Sequence, residues 1–245
     1  MCIETKSELK MTAQLQHTKQ DNKFNWPVVI SLFLLTAIPG IPAIFIVALV
    51  LLGDGAIAGV SQLINAQYFY APAAILTHGS TGALFFLTMP WQFSPRIRMR
   101  RPIWHKVSGR IAVVSGCLMA MSGVWMHIAL SPDELGGRFI ALVILSMSIC
   151  IAFSVAVVHV VKGRIAQHQI WMMRAVALAL AAITPLFTGA ILQLVFSAWT
   201  GLYEVLAALH HDYDRLIAIV INLIVVEWVI QQKRIPWREG SALTQ

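Results

Sequence analysis

Six long stretches of nearly uncharged sequence, joined by connections whose cations fall on alternate sides, constrain this chain more than any other feature. The stretches cover residues 26–53, 70–93, 105–130, 137–161, 170–198 and 214–230, the last being the shortest. Crossing the hydrocarbon core of a bilayer takes about 20 apolar residues of helix. Sixteen of the eighteen Lys and Arg residues lie on one side if every stretch crosses. These are Lys6, Lys10, Lys19 and Lys23; then Arg96, Arg98, Arg100, Arg101, Lys106 and Arg110; then Lys162, Arg164 and Arg174; and finally Lys233, Arg234 and Arg238. Only Arg138 and Arg215 fall on the other side. Short cytoplasmic loops retain cations, so the alternation predicts six transmembrane helices with both termini in the cytoplasm. That is the arrangement of a multi-pass protein of an inner (plasma) membrane. Aromatic belts agree: Trp26, Trp91, Trp104, Trp171 and Trp228 mark the inner boundary, and Tyr70, Trp125, Trp199 and Tyr213 the outer one.

Composition excludes the soluble alternatives. The chain is 58% hydrophobic and 12% charged, with a mean hydropathy of +0.73, about half the charge of an ordinary soluble domain. Its net charge of +7 sets topology. No basic segment interleaved with aromatics suggests nucleic acid as a partner. Three cysteines, Cys2, Cys117 and Cys150, show no pairing typical of a disulfide framework or zinc site. No cleavable signal peptide is visible, because the first apolar run is too long for a signal core. The expected fold is an all-α integral membrane bundle of about six helices over residues 26–231. A polar cytoplasmic tail covers 1–25 and a second tail 232–245. Pro39 and Pro42 place a kink in the first span, and Pro185 lies inside the fifth. The outer connections 54–69 and 200–213 read as interfacial helices or re-entrant caps, or as ordinary solvated loops.

Polar groups inside a membrane are costly, so the inventory that could carry chemistry is short. No Asp, Glu or Lys stands at the centre of any span, which argues against a proton-coupled transporter. Arg174 and Glu227 lie near inner helix ends, where they can reach the interface or each other. Histidine remains. His78 and His127 belong to an outer tier and His105, His159 and His168 to an inner one, while His17 is in the tail and His210 and His211 are in the connection 200–213. Neutral imidazole is the common ligand of haem iron, and histidines in two tiers are how b-type cytochromes hold haem near both membrane faces. In the third stretch His105, Gly109, Ala112, Gly116, Ala120, Gly123 and His127 share one helical stripe. Such a stripe admits a close helix neighbour or a flat ligand. Its end histidines are roughly 33 Å apart along the axis, too far to share a metal. An ordinary packing seam and interfacial histidines would give the same pattern.

Two sets of residues carry a resemblance. One runs His78-Gly-Ser-Thr-Gly82, Pro90-Trp-Gln-Phe93, Arg96-x-Arg98 and His105-Lys-x-x-Gly109-Arg110. The other is His168-Gln-x-Trp171-Met172-x-Arg174. Over about residues 70–180 the chain resembles the bacterial membrane proteins grouped as domain of unknown function 2306. The resemblance implies a multi-helix membrane protein and singles out His78, Gln92, His105, Arg110, His168, Trp171 and Arg174. It supplies no activity, and His127 and His159 lie outside its pattern.

Two functional readings follow. In the first, the chain is a small redox protein binding haem b. His105 and His168, with His78 at a second site, are the metal ligands. Arg110 and Arg174 complete the cofactor pocket, with His127, His159, Gln92 and Trp171 as further candidates, and the electron partner is a quinone or another membrane redox protein. In the second, the chain is a non-enzymatic transporter or assembly factor whose His/Arg cluster binds an anion or lipid headgroups. The sequence leaves open whether it is an enzyme, which histidines pair and how the chain assembles. Membrane lipids are partners in either case. The topology has a direct check: reporter domains fused after Gln245 and within residues 54–68 will report opposite sides of the membrane, and readouts from the same side contradict six spans.

Overall fold

The computed structural model of the chain describes residues 25–53 and 67–242, the side chains of 233–242 excepted. In order, the helices are α1 (Trp26–Leu52), α2 (Gln67–Tyr70), α3 (Pro72–Thr88), α4 (Pro95–Arg100), α5 (Pro102–Leu130), α6 (Gly137–Val161), α7 (Ile165–Leu180), α8 (Thr184–Phe196) and α9 (Thr200–Ala242), with a 3-10 turn at Pro90–Phe93. Among the described residues there is no strand, so the chain is an all-α membrane protein. Proline begins several of these elements, since a missing N–H costs nothing in a first turn. The Ser94 hydroxyl caps α4 by accepting from the Ile97 N–H.

By length and composition α1, α5 and α6 can each cross a membrane, and the bent pair α7–α8 counts as a fourth candidate if its two halves form one broken span. The second and sixth expected spans are also helical. However, α3 has only 17 residues, and α9 mixes apolar residues with Asp212, Asp214, Arg215 and Glu227. α1 stays helical through Pro39 and Pro42. Residues 54–66 of the first outer connection and the N-terminal tail lie outside the described residues.

Two differences from the sequence reading have clear causes. The fifth stretch is not one rod: α7 ends at Leu180 and α8 starts at Thr184, with a bend of 52° between them. Pro185 has no N–H and clashes with the carbonyl four residues back, so the helix stops before it. The connection 200–213 is helical, one of the expected alternatives, but it is not a separate interfacial helix. It opens α9, which is continuous for 43 residues, about 65 Å at the α-helical rise. Between Leu202 and Ile235 there is neither Gly nor Pro to interrupt it. The helix also runs into the segment expected as a C-terminal tail.

α5 is the hub. It packs on α3 and α6, while α1 covers α3 and α9 lies against α6, α7 and α8. The small-residue stripe forms this seam. Ala112 is fully buried and Ala120 nearly so. A Cβ on Gly116 would sit 2.8 Å from a Phe153 ring carbon and 3.1 Å from Phe85. Ser146 of α6 donates across the seam to the Ala120 carbonyl at 2.9 Å. Gly116→Leu should therefore cost about 3 kcal/mol or more through overpacking, read as a lower unfolding midpoint in detergent. Gly137→Ala, where nothing lies within 4 Å of the added carbon, should leave the midpoint unchanged; an unchanged midpoint in Gly116→Leu contradicts a packed seam.

Candidate functional site: histidines and the polar ties around them

Each histidine is best read through what its ring nitrogens bond. His168, in the first turns of α7, places Nδ1 2.9 Å from the Ala156 carbonyl of α6. A carbonyl only accepts, so Nδ1 carries the proton and Nε2 keeps its lone pair. His105, in the first turn of α5, meets Gln92 of the 3-10 turn. With the amide oriented to match donors to acceptors, Gln92 donates to His105 Nδ1 at 3.0 Å and to the His105 carbonyl at 3.1 Å. Its oxygen accepts from Ser108 Oγ at 2.7 Å and the Gly109 N–H at 3.3 Å. Gly109 leaves the amide its space, since a Cβ there would sit 3.0 Å from it. His105 is close enough to Arg98 and His168 for their charges to interact.

The arginines do not follow them as a pair. Arg174 Nε bonds the Glu227 carboxylate of α9 at 2.5 Å, and its guanidinium lies 4.7 Å from the centre of the Trp171 ring. The depth match between Arg174 and Glu227 was visible in the sequence. Arg110 is exposed on α5. His159 is half-buried on α6, and its buried Nδ1 has no hydrogen-bond partner among the described residues.

In the other tier, His78 of α3 donates Nδ1–H to the Met119 carbonyl of α5 at 2.9 Å, with Ser122 Oγ at 3.3 Å. Gly123 makes room for the ring, its would-be Cβ lying 3.3 Å from His78 Cε1. His127 is a loop clamp: Nε2 donates to the Glu134 carbonyl at 2.9 Å and the ring stacks on Phe139. His210 and His211 stand on α9, where His210 bonds Thr188 of α8 at 2.7 Å and His211 bonds Arg138. Among the described residues no three His, Cys, Asp or Glu side chains group as metal ligands.

Sequence reasoning missed Asn222. Its amide donates to the Ala177 carbonyl at 2.9 Å, and its oxygen accepts from the Thr184 hydroxyl at 3.0 Å. Thus α9 satisfies groups on both sides of the α7–α8 break. A lone Asn inside an apolar stretch was the available signal.

The fold and these ties define a multi-pass helical membrane protein with polar contacts concentrated between helices. Residues 75–230 match the family described as Predicted membrane protein (DUF2306), and the chain belongs to that family. Nothing among curated proteins or solved structures matches it.

The Arg174–Glu227 pair is testable as a tie between α7 and α9. Glu227→Ala should lower stability by about 1–3 kcal/mol. A double-mutant cycle with Arg174→Met, followed by denaturant unfolding in detergent, should give a coupling above about 1 kcal/mol. A coupling near zero would make the contact incidental.

Proposed function

We propose that the protein is a six-span inner-membrane redox protein, both termini cytoplasmic, that binds haem b between His105 and His168 and exchanges electrons with a quinone or a membrane redox partner. The observation that carries this reading is the bond by which His168 holds its Nδ1 proton against a backbone carbonyl, with His105 near enough for the two charges to interact. Metal-binding histidines characteristically donate their second ring N–H to such an acceptor, which fixes the ring and leaves Nε2 for the metal. His105 fits once Gln92 reverses its amide and accepts from Nδ1–H through oxygen. Two imidazoles suffice for a haem iron, so the lack of a three-residue cluster is no objection. The bound group would supply reversible one-electron transfer. The protein's part is to present two nitrogens, and Arg98 adds positive charge beside them for the propionates.

The non-enzymatic reading rests on a different observation. α4 puts Arg96, Arg98 and Arg100 on one short helix followed by Arg101, a collar suited to anionic headgroups. Absorption spectra decide between them. Purified protein should show a Soret band that is abolished in His105→Ala and in His168→Ala and retained in His210→Ala. Colourless protein, before and after haem addition, with both variants folding normally, favours the collar.

A further inference from the structure

A second site lies where α1, α3, α5, α6 and the α7–α8 break converge. There a cavity of about 160 Å³ is bordered by His78. It exists because the residues facing it are small: Gly40, Ala43, Gly82, Ala120, Gly123 and Ala182. Phe85 and Phe86 supply aromatic walls. A cavity near 150 Å³ with apolar walls takes one benzene-sized ring, so a whole porphyrin does not fit here.

The polar atoms around this space are nearly all engaged. Thr36 donates to the Leu32 carbonyl at 2.7 Å, and Ser146 to that of Ala120 at 2.9 Å. His78 Nδ1–H is held by the Met119 carbonyl. Among the described residues nothing bonds His78 Nε2. With the proton fixed on Nδ1, that nitrogen can only accept. The cavity therefore offers an aromatic-sized apolar volume and one hydrogen-bond acceptor.

We propose that this cavity binds the headgroup of a membrane quinol, its ring between the apolar walls and one hydroxyl donating to His78 Nε2. A quinone carbonyl, which also only accepts, has nothing to meet there, so the reduced form is preferred. The identity of the ring as a quinol, rather than another lipid-soluble phenol, rests on the redox reading above; the size and the need for a donor do not.

The test uses the full chain in lipid nanodiscs, titrated anaerobically with hydroquinone by calorimetry. Saturable binding is expected, at least tenfold tighter than for p-xylene, which has the same shape and lacks the O–H. His78→Phe should weaken hydroquinone at least tenfold and erase the preference over p-xylene. Ala43→Phe should abolish binding by filling the space, with its unfolding midpoint recorded to confirm a folded protein. Equal binding of hydroquinone and p-xylene to the unmodified chain, unchanged affinity in His78→Phe, or no saturable binding overturns the proposal. Absorption spectra of the same samples separate the two readings. Quinol binding without a Soret band refutes the haem site alone, and a Soret band without quinol binding refutes this cavity alone.

Discussion

In hydrocarbon a peptide N–H or C=O has no water to turn to, and an unpaired one costs several kcal/mol. This condition shapes the molecule more than any single contact. It accounts for the uniformly helical chain and for the many hydroxyls that bond the carbonyl four residues back, as Thr36, Thr77, Thr81, Thr88 and Ser148 do. It also governs the sharp break between α7 and α8. When α7 stops before Pro185, its last turn tightens: the Ala181 N–H bonds the Leu178 carbonyl. The Ala177 carbonyl then loses its usual partner, and Asn222 supplies one from α9. Bend and asparagine are parts of one device, since neither is comfortable in lipid alone.

The same condition fixes the chemistry of two histidines. His78 and His168 stand on different helices in different tiers, yet each donates Nδ1–H to a carbonyl of a neighbouring helix. Those carbonyls, of Met119 and Ala156, already accept within their own helices and offer a second lone pair. Such a bond holds two helices at one depth and selects one tautomer. Packing and reactivity are thus set together. The small-residue seam supplies the necessary closeness, and it has two different fates. At Gly116 the facing side chains, Phe153 and Phe85, close it completely. One heptad on, at Gly123, an imidazole faces it and the neighbours are small, so volume remains.

The overall plan was legible because lipid makes the pattern coarse. A run of apolar residues with cations at its ends needs no tertiary knowledge to be read as a helix, and 137–161 matches α6 residue for residue. The pairing of Arg174 with Glu227 could be read from depth alone. What the sequence concealed was local competition. Pro185 sits in a run apolar enough to span, and apolarity does not report where a helix bends. The residues 200–213 are mildly amphipathic and could be read as an interfacial helix, a cap or a loop, and what the pattern did not report is that the helix they form continues unbroken into the last span. His127 ends the stripe as a ligand would, but its partners, the Glu134 carbonyl and the Phe139 ring, depend on how the following loop folds back. His105 was legible as a candidate, while its engagement by Gln92 was not. That contact needs the 3-10 turn to bring residue 92 against the first turns of α5, and Gly109 to leave space for the amide.

This last contact separates His105 from His78 and His168 in kind. A backbone carbonyl can only accept, so His78 and His168 are held with Nε2 as an acceptor whatever approaches. The amide of Gln92 has a donor at one end and an acceptor at the other, and a half-turn exchanges them. Against its amino group His105 keeps Nδ1 as an acceptor and carries its proton on Nε2, complementary to the bare Nε2 of His168. Against its oxygen the proton moves to Nδ1, and both inner histidines present lone pairs. The reversal has a definite cost, because the oxygen would then face the His105 carbonyl, where the amino group now donates. In the haem reading proposed above, iron would need a lone pair from His105 Nε2, and its binding energy would have to turn the amide. The inner site is therefore adjustable where the outer one is fixed, and the adjustable part is a neutral side chain, the cheapest kind to rotate in a medium that penalises moving charge.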